Sequence, residues 1–248
     1  MKKHLFIILL IGLGYLSAQA QNYSITYIKD DGVGKAINFG FACAPTFDWM
    51  YPKTEDYQRH GFVVGIRYGI PININLTKSK NYYVYTGVFI EHIGGTMTFL
   101  DKIIHSDIIE AQQAETFRQY RATYLTIPVG VTLKTKSLNN FFICGNAGIY
   151  NSLRLAASQH DTYNFAGELW SRQKGPSTEA AICKEAGFAG LGFEYSISKD
   201  FRAGIMVNYV HTLTNYFKGK GRAQNSLTHA DQKAHIGYIE LEAHINFF

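Results

Sequence analysis

The sequence predicts an all-β chain: eight antiparallel strands closed up and down into a transmembrane β-barrel, with short periplasmic turns and long outer loops. Three observations carry this. Segments of alternating apolar and polar residues recur along the chain, and the connections between them alternate long and short. After the first residues no apolar run is long enough for a spanning helix, while the composition is rich in 17 Tyr, 17 Phe and 23 Gly. Lipid tolerates only helices and closed sheets, because each buried backbone N–H and C=O must be paired.

The closing stretch, 234–248, shows the pattern best. His235, Gly237, Ile239, Leu241, Ala243, Ile245 and Phe247 share one face, and Ile236, Tyr238, Glu240, Glu242, His244, Asn246 and Phe248 the other. Side chains of a strand point alternately to its two sides, so one face is apolar and the other charged. In this register Phe247 meets lipid and the terminal Phe248 falls on the inner side.

The beginning reads as a secretory leader. Lys2 and Lys3 precede an apolar run from Leu5 to Leu16 and a small-residue site, so residues 1–20 are expected to be a signal peptide cleaved after Ala20. No Cys stands at that point, which argues against a lipid anchor. Loss of the two lysines lowers the formal charge from +5 to +3, too mild to suggest a nucleic-acid partner. Residues 21–35 form a polar periplasmic lead-in, and 36–248 the barrel domain. Three cysteines, Cys43, Cys144 and Cys183, rule out a complete disulfide framework and read as small packing residues.

In chain order the strands are expected at 36–44, 61–76, 82–99, 117–134, 141–155, 185–197, 201–212 and 234–248. Each alternates. The second sets Phe62, Val64, Ile66, Tyr68, Ile70, Ile72, Ile74 and Leu76 against Val63, Gly65, Arg67, Gly69, Pro71, Asn73 and Asn75. It is longer than an ordinary soluble strand and suits a tilted membrane strand. Pro71 removes a ladder donor and reads as a bulge near the rim. The connections at 45–60, 100–116, 156–182 and 213–233 are long, and those at 77–81, 135–140 and 198–200 are short. A helical turn is expected around Asp107 to Gln113, where Asp107 and Glu110 fit a cap. A soluble sandwich has no reason to sort its loops by parity; an outer-membrane barrel does.

With the apolar faces given to lipid, the lumen collects Asn38, Arg67, Asn73, Asn75, Glu91, Asn146, Glu194, Arg202, Asn208, Glu240, Glu242 and His244. Eight strands enclose a space just wide enough to be filled by side chains. Isolated buried charges are costly, so Arg67, Glu91, Glu194, Arg202, Glu240 and Glu242 are expected to form an inner salt-bridge network that plugs the barrel. A wide diffusion pore would need about 16 strands. No catalytic, metal or cofactor site is read. His244 near Glu242 has no obvious Ser partner, and His211, His229 and Asp231 have no metal-ligand spacing. No glycine-rich phosphate loop occurs.

The run Tyr124-Leu125-Thr126-Ile127-Pro128-Val129-Gly130-Val131 resembles the PorT-type outer-membrane barrel family of Bacteroidota, with its Tyr-Leu-x-Ile-Pro signature on a middle strand. The Gly61-Phe62 to Gly65 opening of the second strand and the Ala-Gln-Ala-Gln leader end are similar too. The resemblance implies an eight-stranded barrel in the outer membrane and not one activity, since the family is broad; its named member serves type IX secretion and gliding. The expectation is therefore a non-enzymatic protein with a structural or interaction role, supporting secretion across the outer membrane in its PorT-like form. A narrow channel is the second reading and a lipid-modifying enzyme the third. Expected partners are outer-membrane lipid and lipopolysaccharide, the barrel-assembly machinery during insertion, and secretion-apparatus or surface proteins.

Overall fold

The computed structural model describes residues 37–247 apart from 55–56, 77–80, 104–111, 138–139, 166–167, 172–174, 178, 199–200 and 219–232. The expected leader and lead-in, His229, Asp231 and Phe248 lie outside the described residues.

Eight long strands make the wall: β1 (Ile37–Pro52), β2 (Val63–Asn75), β3 (Tyr82–Ile103), β4 (Gln112–Lys134), β5 (Phe141–Phe165), β6 (Cys183–Ser198), β7 (Phe201–Thr212) and β8 (Ala234–Phe247). Each pairs antiparallel with its neighbours in sequence, and β8 returns to β1 from Phe39↔Phe247 to Pro52↔Ala234. The sheet thus closes into a ring, an up-and-down barrel without edges along its main body.

The strand register is set by which side chains each face can tolerate. In β1 the odd residues Ile37, Phe39 and Phe41 are exposed outside, while Asn38, Thr46 and Asp48 are buried inside. The same sorting holds in β2, where Val64, Ile66 and Ile70 face out and Arg67 and Asn73 face in. Outward residues from Ile37 to Phe47 span about 33 Å of strand, or about 25 Å of height at a usual tilt, the thickness of a barrel's lipid band. At the short-turn end of this band Phe247 packs on Phe39, Phe41 and Phe201, with ring centroids 6.0, 6.3 and 5.3 Å away, and Phe141 packs on Tyr195 at 4.8 Å.

Several sequence expectations are corrected. β1 continues to Pro52 through what reads as loop, since Thr46, Asp48 and Met50 keep the inward parity. β3, β4 and β5 also run beyond the band, to Ile103, from Gln112 and to Phe165. Gln112 and Gln113 are strand rather than the end of a helical turn, and Asp107 to Ala111 lie outside the described residues. Pro71 is no bulge: Ile70↔Val88, Pro71↔Gly87 and Ile72↔Thr86 pair without a shift. Gly87 opposite it has φ of 150°, a backbone conformation open to glycine. The irregularities fall at Thr123/Tyr124 and Phe201/Arg202. Cys43 and Cys183 are exposed, so only Cys144 of the three is a buried packing residue.

Above the band the tall β3–β5 wall is lined by Met97, Phe99, Tyr120, Tyr216 and Phe217, the upper part of one apolar cluster that continues down to Phe89, Tyr150 and Phe188. Short strands guard its margins: Gln58–Arg59 pairs with Met97 and Thr98 of β3, and Glu168–Ser171 and Gly175–Pro176 pair with β5. Two outer connections are tied to each other by the Ala180↔Phe217 bridge.

Candidate functional site in the barrel lumen

The inward residues build three stacked tiers of charge. At the short-turn end Glu194 of β6 accepts Lys134 Nζ at 2.7 and 2.8 Å, His244 Nε2 at 3.1 Å and Asn246 Nδ2 at 3.2 Å. Arg202 Nη1 stands 4.0 Å from the same carboxylate, its guanidinium 4.2 Å from the centre of the Phe142 ring. His244 reaches the next tier, with Nδ1 3.2 Å from Glu242 Oε1.

The middle tier centres on Arg67. Its Nε and Nη2 donate to Glu240 at 2.9 and 2.8 Å, and Nη2 donates to Glu242 at 2.5 Å. β1 lies between the strands of these partners, and its inward Ala44 at this level is small enough to let Arg67 reach across. Tyr150 Oη and Asn208 Nδ2 donate to Glu240 as well, at 2.9 and 2.6 Å. Phe89 and Tyr150 flank the guanidinium, 4.3 and 4.8 Å from its carbon, so the charge is bonded in its plane and covered by rings.

The outer tier centres on Glu91. Although Glu91 is registered opposite Arg67, its carboxylate instead accepts Lys184 Nζ at 2.5 Å, Thr126 Oγ1 at 2.9 Å and the Tyr238 hydroxyl. Asp48 accepts the Gly94 N–H at 2.9 Å. Higher still, beyond the band, Arg118 donates to both oxygens of Asp161 at 2.6 and 2.8 Å. Burial opposes that charge, but the Asp161 hydrogen bonds and nearby acidic groups hold the guanidinium pKa above its usual value.

The structure places Arg67, Glu91, Glu194, Arg202, Glu240 and Glu242 inside and almost fully buried. It brings Arg67 together with Glu240 and Glu242, and Arg202 near Glu194, while Glu91 joins a separate tier. Asn38, Asn73, Asn146, Asn208 and His244 are buried too, and Asn75 is half-buried at the rim. Sequence reasoning missed Lys134, Lys184, Asp48 and Tyr150, and placed Tyr238 on the inner face without giving it a part in the network. A charge count could have found the lysines: two arginines against four buried carboxylates need two more cations, and Lys134 and Lys184 have inward parity.

The arrangement is one of paired charge. Its cations are each committed to carboxylates, and among the described residues no group of three His, Cys, Asp or Glu side chains could hold a metal ion. His244 lies between two carboxylates with no hydroxyl nucleophile bonded to it. His211 faces outward in an aromatic patch.

Neither a family model nor a curated protein matches the chain. Among solved structures it is similar to Neisserial surface protein A, at 9% identity over 86% of this chain and 97% of that one, with a TM-score of 0.38. The outer membrane protein OprG from Pseudomonas aeruginosa aligns at 9% identity, 88% and 99% coverage and a TM-score of 0.38. Ail, the attachment invasion locus protein of Yersinia pestis, aligns at 9%, over 86% and 100%, with a TM-score of 0.32. These likenesses are distant. The all-β, eight-stranded up-and-down barrel stands on the closed ring of strand pairings.

Proposed function

We propose that the chain is an outer-membrane barrel with a plugged lumen, no enzymatic site, and a structural or interaction role carried by its outer face and loops. The observation that supports this is the inversion of an ordinary globule: apolar side chains cover the outside of a closed sheet, and paired charges fill the inside. Water would leave such a surface exposed at great cost, whereas a bilayer matches it. Support for protein secretion is the PorT-like form of the role, and rests on the Tyr124 to Val131 resemblance.

Two measurements test the reading. The tagged protein, drawn from native outer membranes in mild detergent, is expected to bring secretion, gliding or surface proteins with it; recovery of the barrel alone would remove the accessory role. In planar bilayers the chain is expected to hold no steady conductance. Conductance that changes with Arg67→Ala or Arg202→Ala would instead make it a narrow channel, and lipid turnover lost on changing one inner polar residue would make it an enzyme.

A further inference from the structure

At the long-loop end of the lipid band, on the outer face, five rings form a continuous slab across β1, β8 and β7. Trp49 lies 6.2 Å from Tyr51 and 6.5 Å from Tyr209, Tyr51 lies 5.5 Å from His211, and His211 stacks on His235 at 5.7 Å with planes 5° apart. Gly237 is the floor of this slab. A Cβ there would stand 2.8 Å from Tyr51 and 3.0 Å from the Trp49 indole nitrogen, so only the missing side chain lets the two rings lie across β8.

A cation is held over the rings. Arg59 places its guanidinium carbon 5.4 Å from the Trp49 centroid and 5.9 Å from that of Tyr51. It is fixed by main-chain pairing rather than left on a loose loop: Arg59 is registered with Met97, and the next residue, His60, donates its N–H to Thr96 O at 3.0 Å. Lys53 is near enough to His211 to act on it through space, and its N–H bonds Lys233 O at 2.7 Å. Among the described residues no carboxylate pairs with Arg59, Lys53 or Lys233, in contrast to the buried cations of the lumen. Two polar atoms of the slab, Trp49 Nε1 and His211 Nδ1, also have no hydrogen-bond partner among the described residues.

A cation over aromatic faces, with no carboxylate partner among the described residues and at the height where acyl chains give way to headgroups, matches a ligand with a phosphate, a sugar face and an apolar tail. We propose that this slab seats a phosphorylated glycolipid of the outer leaflet, a bisphosphorylated lipid A. The Arg59 guanidinium meets a phosphate, Lys53 adds to the field, and the rings of Trp49, Tyr51 and Tyr209 cover the sugar and the first acyl carbons. This rests on the membrane placement proposed above.

Trp49 is one of only two tryptophans, so Trp170→Phe makes its emission a local probe. The full chain carrying that change would be refolded into phosphatidylcholine vesicles, and insertion scored separately by heat-modifiable gel mobility and protease protection. Vesicles with rising fractions of bisphosphorylated lipid A are expected to shift Trp49 emission saturably. Dephosphorylated lipid A, and Arg59→Gln with the phosphorylated lipid, should each need about tenfold more lipid, the loss expected for one charge-assisted contact. Inorganic phosphate in the buffer should leave the emission unchanged.

An inserted barrel that gives one curve for both lipids overturns the glycolipid site and leaves the barrel reading intact. So does an Arg59→Gln curve equal to that of the parent, or an equal response to inorganic phosphate. A chain that fails to insert overturns both. The comparison of two lipids on the unchanged Arg59 protein needs no folding of the variant.

Discussion

Replacing Arg67 by Met tests whether the lumen is dry and paired. The substitution keeps volume and removes the one cation that joins Glu240 and Glu242. Breaking a buried pair from one side costs roughly 3–5 kcal/mol, because the remaining charge stays in low dielectric. Glu240 keeps its bonds from Tyr150 and Asn208, and Glu242 keeps His244, which argues for the lower end, about 3 kcal/mol. With a urea m-value near 3 kcal/mol/M, that is a fall of about 1 M in the unfolding midpoint of the vesicle-inserted protein. Adding Glu240→Gln to Arg67→Met should restore at least 0.5 kcal/mol or so through the coupling of contacting residues. A midpoint for Arg67→Met within about 0.5 kcal/mol of the parent, with no coupling, would mean that water reaches these charges, and the plugged lumen would be refuted.

Three further outcomes are expected. Lys134→Met should also destabilise, by about 2 kcal/mol and less than Arg67→Met, since Glu194 keeps His244, Asn246 and Arg202; urea titration ranks the two. Gly190→Ala should cost about 1–3 kcal/mol, because its Cβ would collide with Asn208 Oδ1 and stand 2.8 Å from Asn146 Oδ1, and adding Asn208→Ala should recover part of the loss in the same assay. Cys43, exposed and halfway up the outer band, should carry a fluorophore that brominated lipids quench after refolding, whereas a label on Cys144 should prevent folding.

Much of this barrel is legible in the residues because inside and outside demand opposite chemistry. A slip of one residue would turn Arg67, Glu240 and Glu242 into lipid, so the register follows from polarity alone. The strand ends are less legible. Above the band both faces can be polar or aromatic, and the alternation loses contrast: Asp48 inside and Trp49 outside do not announce their sides. Pro45 reads as the start of a loop, yet it points outward within a continuous strand. Lys184 falls one residue before the expected start of its strand, and Lys134 sits at the edge of a turn. Partner choice is hidden for another reason. Glu91 is registered opposite Arg67 but bonds Lys184, because strand pairing fixes backbone positions while long side chains reach across the lumen.

The short strands beside the tall wall change how that wall behaves in water. A sheet that rises out of a membrane on one side ends in open backbone donors and acceptors, and such margins recruit any extended chain nearby. Here Gln58–Arg59 occupies the β3 side, and Glu168–Ser171 with Gly175–Pro176 occupies the β5 side, all from the same polypeptide. Those stretches of the wall are thereby closed to strand exchange with neighbouring copies, even at the crowding of a packed bilayer. What those stretches can offer to other molecules is side-chain chemistry, so recognition there can change by substitution without exposing new sites for aggregation.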